Sequence, residues 1–136
     1  MLVMTRRTVL LVSLLLALAG AGCGASPPQA FEDREELTDC GLVTLDDTPP
    51  SPAELEAEQC LRTAVANQTT VEMRLVSFTV EGDEIKRYVR SVSGGLGPVE
   101  IFTDATSDNG GKWYHSRCRG LDDRDPTGIG CQPVEG

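Results

Sequence analysis

The chain is poor in aromatic residues and in bases: aromatics make up 4 % of 136 residues, there is one tryptophan, and there is a single histidine. Catalysis finds little material in such a set. His115 adjoins Ser116, and neighbours along a strand point to opposite faces, so the two do not form a base and nucleophile pair. There is no Cys-x-x-Cys, which with one histidine argues against a zinc site. Cations are scarce as well, 12 against 21 acids for a net charge of −9, and this argues against nucleic acid as a partner. No motif for an organic cofactor is present, and no cofactor is expected. Apolar runs are short: residues 9–25 fall below the roughly 20 that a spanning helix needs and are diluted by Gly20, Gly22 and Gly24.

The N-terminal residues have a different character. Arg6 and Arg7 precede a leucine-rich segment, and Ala19, Gly20, Ala21 and Gly22 lead to Cys23. Basic start, apolar middle and small residues at a cleavage point describe an export signal. The small residues before a cysteine, with no charge just upstream, resemble the lipobox of bacterial lipoproteins. That resemblance implies removal of residues 1–22 and a diacylglyceryl thioether on Cys23. Each buried acyl CH₂ contributes about 0.8 kcal/mol, so two or more chains would hold the protein at the outer face of a membrane. Thr5 to Leu10 also resembles a twin-arginine signal, but the strongly apolar middle favours general secretion. The expected location is the extracytoplasmic face of a cell membrane, with the bilayer a partner through acylated Cys23.

Removing residues 1–22 takes away Arg6 and Arg7 and no acid, which leaves ten cations against 21 acids and a net charge of −11. The remainder suits one small domain. Residues 32–58 carry ten carboxylates and the single cation Arg34, so residues 23–39 are predicted as a flexible acidic tether with order beginning near Cys40. Cys40, Cys60, Cys118 and Cys131 form an even set in a compartment that permits disulfides. Three pairings are open. Cys40 with Cys60 and Cys118 with Cys131 is favoured, since each would staple a flanking segment to a neighbouring element at about 3 kcal/mol of stabilisation.

Within residues 40–136 the signals are mixed α and β. Residues 41–45 suit a short strand or extended arm. Ser51, Pro52 and Glu54 give a cap, a first-turn proline and a capping-box acid. Ala53, Ala57, Cys60, Leu61, Ala64 and Val65 then recur at helical spacing, which predicts a helix over 52–67 whose thin apolar face must lie close to a sheet. Apolar alternation between glycine turns predicts strands at 70–80, 84–93, 99–104 and 112–118. Short connections make these an antiparallel meander. The expected fold is two-layer α+β, one helix on four strands, cystatin-like and stapled by disulfides, with an irregular tail from Arg119.

Lys86, Arg87 and Arg90 with Tyr88 and Trp113 are the candidate binding surface, because arginine and aromatic side chains concentrate at interface hot spots. Asp104, Asp108 and Asn109 ahead of two glycines offer oxygen ligands for calcium, although the spacing is not that of an EF-hand loop. The stretch Phe78-Thr79-Val80-Glu81-Gly82-Asp83-Glu84-Ile85, with Phe102 to Asp108 and Cys118 beyond it, resembles a family of small Gram-positive lipoproteins of unknown function. Members carry a Thr-x-Glu-Gly-Asp-Pro-Ile hairpin, an Asp-rich turn and a later cysteine; Glu84 stands where they usually have proline. The resemblance spans residues 74–118 and implies a shared hairpin without implying an activity. The expectation is therefore a non-enzymatic chain binding an unidentified protein or cell-envelope component. The alternative is a small extracellular hydrolase or ligand carrier that uses the acidic turn.

Overall fold

The computed structural model describes residues 25–95, 97–124 and 126–135. Cys23 and the predicted signal lie outside the described residues. In chain order the elements are α1 (Gln29–Glu32), β1 (Thr38–Leu45), α2 (Pro52–Asn67), β2 (Val71–Phe78), β3 (Glu84–Ser91), β4 (Val99–Asp104), β5 (Trp113–Cys118), β6 (Gly120–Leu121), β7 (Gly128–Ile129) and β8 (Gln132–Pro133). Six strands make one sheet in the order β1-β2-β3-β4-β5-β8, and β6 pairs with β7 separately.

The main helix begins and ends where the sequence places it. Ser51 Oγ accepts from the Glu54 N–H at 3.3 Å, and Glu54 Oε2 accepts from the Ser51 N–H at 2.7 Å, closing the capping box. Glu54 Oε1 also accepts from the Thr44 N–H at 2.9 Å, which ties the start of α2 to β1. Gln68, with φ of 57°, terminates the helix in the left-handed region. Ala57, Leu61 and Ala64 are buried against Val43, Val71, Met73, Leu75 and Val89. Such a thin face needs close approach, and Gly41 permits it: a Cβ there would lie 3.2 Å from that of Ala57.

The α+β class and the helix on a mostly antiparallel sheet are as expected, but the four-stranded, cystatin-like meander is corrected in two places. β1 lies beside β2 in parallel, so β1, α2 and β2 form a β-α-β unit ahead of the antiparallel strands. A register shift at Asp39 to Gly41 obscures the alternation of β1 in the sequence. At the other edge β8 adds to β5 through Ser116 and Arg117. It is only two residues long and contains Pro133, so no periodicity marks it.

Both favoured disulfides are formed. Cys40–Cys60 joins β1 to α2, and Cys118–Cys131 joins β5 to the segment after β7. The second bridge draws the tail, expected to be irregular, into place. The Arg119 N–H donates to the Ile129 carbonyl at 3.0 Å, Leu121 packs on the core cluster, and Pro126 is fully buried. Gly128 is required there, because a Cβ would overlap the Cys118 sulfur.

Order starts earlier than Cys40. Residues 29–37, predicted as part of the tether, cross the face of the sheet opposite α2. Their charge made them read as solvated, yet Phe31 and Arg34 each find a fixed partner on the strands. Among the described residues no helix is long and apolar enough to cross a membrane.

Candidate functional site

Strand register creates a patterned surface beneath this leader. Residues paired across strands share a face, and alternate residues share it along each strand. Glu72, Arg90, Glu100 and Arg117 therefore stand in one row with alternating charge. The next row is Arg74, Tyr88, Phe102 and His115, and the one after it is Val76, Lys86, Asp104 and Trp113.

The leader sits across these rows. The Phe31 ring lies 4.7 Å from Tyr88, 5.4 Å from Phe102 and 4.6 Å from Trp113, distances at which aromatic pairs attract. Phe102 in turn stacks on His115 at 4.2 Å and is only 1 % exposed. Three residues after Phe31, the Arg34 guanidinium lies 3.7 Å above the Phe31 ring and donates from Nε to Glu72 Oε2 at 3.1 Å.

Arg90 organises the charged row. It is 5 % exposed and donates to Glu100 Oε2 at 3.0 Å and to the Glu35 carbonyl at 2.6 Å. Its Nε faces Glu72 at 3.1 Å as an ion pair without hydrogen-bond alignment. Glu100 also meets His115 Nε2 at 3.0 Å and Arg117 Nε at 3.5 Å. A buried cation would be costly alone, but carboxylates on both sides and a main-chain oxygen compensate it.

The five residues of the predicted surface separate. Tyr88 and Trp113 come together around Phe31, and Arg90 supports the same segment from the row beside them. Lys86 lies on this face beyond the leader, paired to Glu84 at 2.8 Å; that carboxylate holds the lysine above its ordinary pKa. Arg87 points to the opposite face and donates to Ser77 Oγ at 2.7 Å. Sequence reasoning missed Phe31, Arg34, Glu72 and Glu100. The one signal available was an aromatic and a cation three residues apart in an otherwise acidic stretch.

The acidic turn is used internally. Asp104 Oδ1 accepts from the Thr106 N–H at 3.0 Å and from its hydroxyl at 2.6 Å, closing a local turn. Asp46 repeats the arrangement with Thr48, which holds the Asp46 carboxyl below its usual range. Among the described residues no three His, Cys, Asp or Glu side chains gather as a metal site would need.

Beyond the leader, Leu42 in the middle of edge strand β1 is 44 % exposed, Phe78 at the end of β2 51 %, and Val80 in the turn that follows 99 %. A groove of about 260 Å³ includes Leu42, with Arg74, Val76, Lys86 and Tyr88 among its other lining residues. Comparison with models of known protein families, with curated proteins and with solved structures finds no match.

Proposed function

We propose that this chain is a lipid-anchored, extracytoplasmic binding domain without enzymatic activity, held at the membrane by acylated Cys23 and docking a protein or cell-envelope partner on its leader face. The observation that carries the binding reading is the uncovered part of that face. Leu42 and Phe78 stay in water on that face, Leu42 in a groove with Arg74 and Lys86, and exposed large apolar side chains near cations favour protein contacts. The lipobox motif supports the anchor, and two disulfides accord with an oxidising compartment.

The anchor is tested by the intact mass of the protein extracted from membranes, before and after reduction. The expected product starts at Cys23, carries a diacylglyceryl group and gains the mass of four hydrogen atoms when its two disulfides are reduced. A soluble product with unmodified Cys23 contradicts it. The docking face is tested by a photo-crosslinking residue at Val80 in cells. A discrete adduct that disappears when Phe78 becomes Ser is expected, and labelling that is indifferent to Phe78 contradicts this site.

A further inference from the structure

The leader is held to the sheet by a handful of contacts and by no covalent bridge; both disulfides lie outside it. Its helix has four residues, no side-chain cap and no buried residue, so it has little structure of its own. Clefts flank it on both sides. One of about 330 Å³ opens at Pro28, Gln29 and Trp113, and one of about 360 Å³ at Arg34, Leu37 and Glu72.

The surface underneath is also braced by contacts among its own side chains. Phe102 stacks on His115, Arg90 is fixed to Glu72 and Glu100, and Arg117 donates to the Gly97 carbonyl at 3.0 Å. A preformed receptor therefore faces a short occupant, joined to β1 through the exposed Glu36 and the half-buried Leu37. The receptor selects three things: a ring between Tyr88 and Trp113, a guanidinium on Glu72, and a main-chain carbonyl on Arg90. Phe31, Arg34 and Glu35 supply all three, and every copy of the chain carries them.

We propose that this groove accepts the leader of a second copy, so that two copies exchange residues 29–37 reciprocally and form a two-fold dimer. The same contacts are made in the closed monomer and in the dimer, and only the link through residues 36–37 changes direction, which is the condition under which segment exchange is cheap. Anchoring would raise the local concentration of leaders and favour the exchanged form. The proposal rests on the leader contacts and not on the uncovered part of the sheet or on the lipid, so it stands or falls apart from the function proposed above.

Trp113 is the sole tryptophan and lies 4.6 Å from Phe31, so its emission reports whether the groove is filled. The full chain with Phe31→Ala and Arg34→Ala is titrated with a synthetic peptide of residues 25–39, which contains no tryptophan. A saturable shift of emission towards the wild-type spectrum is expected, with no shift from a peptide bearing alanine at 31 and 34. Wild-type chains of light and heavy isotope composition are then mixed and weighed under native conditions. Mixed dimers are expected, and their loss in the double variant. Absence of a saturable shift overturns the proposal, as does an equal shift from the alanine peptide. Wild-type chains that stay monomeric at every concentration overturn it even where the peptide binds, because the leader then serves only its own sheet.

Discussion

The two faces of the sheet are covered by different means. On one, α2 and the tail bury Leu61, Met73, Leu75 and Val89 completely, and a disulfide pins each cover. On the other, a nine-residue leader rests on one ring, one guanidinium and one carbonyl. The first face follows the logic of a small exported domain, in which covalent bridges supplement a modest core. The second combines an aromatic cluster around Phe31 with a row of ion pairs and has no covalent staple to the leader. If the leader face also docks a partner, as proposed, stability and recognition fall on opposite sides of one sheet, and perturbing each side should produce a different kind of failure.

The largest expected effect comes from the stapled face. Leu61→Ala leaves a cavity between α2 and the sheet and should cost about 2–5 kcal/mol, read from the urea midpoint of the oxidised protein. Replacing Cys40 and Cys60 together by serine opens a bridge spanning 20 residues and should cost about 3 kcal/mol by the same measurement. Both should loosen the whole domain cooperatively. If either variant lost only local protection, the stapled face would not be the stabilising one.

Phe31→Ala sharpens the contrast. Losing one half-buried ring should cost about 1–2 kcal/mol, confined to the leader. Trypsin cleavage after Arg34 should rise about tenfold, while the urea midpoint of the remainder moves little. A large drop in that midpoint would show that the leader is part of the global core.

The smallest effect concerns pH. The Ser51 N–H and hydroxyl and the Thr44 N–H all favour ionised Glu54, so its carboxyl is held below the usual glutamate range. The sign follows directly: the contribution is complete above the unfolded-state pKa and is lost as pH falls through the lower folded value. Amides at the start of α2 and around Thr44 should therefore lose protection in acid before the core does. Glu54→Gln should remove that pH dependence. Retention of it in the variant would assign it to another group.

The stapled face was legible in the sequence where the signals are local. Ser51, Pro52 and Glu54 mark the start of α2, and period-two alternation around the Glu81 to Asp83 turn marks β2 and β3. The cysteine pairing followed from which elements the bridges would join. The leader face was not legible, because its contacts are remote in sequence. Arg34 meets Glu72 38 positions on, and Arg90 meets the Glu35 carbonyl across 55. Lys86, Arg87, Tyr88 and Arg90 were visible as a cluster, but register decides that Arg87 faces away and that carboxylates on neighbouring strands neutralise Arg90. The acidic composition of residues 32–39 pointed to a solvated tether because averaging hides one aromatic and one arginine.

Native-state amide hydrogen exchange across a denaturant series tests the contrast between the faces most directly. The account predicts that amides of residues 31–34 exchange through a local opening insensitive to denaturant, whereas those of α2 and β2 exchange only near the free energy of global unfolding. If residues 31–34 exchanged with the same free energy and denaturant slope as α2, the leader would be as firmly fixed as the stapled face, and the distinction drawn between the two would be contradicted.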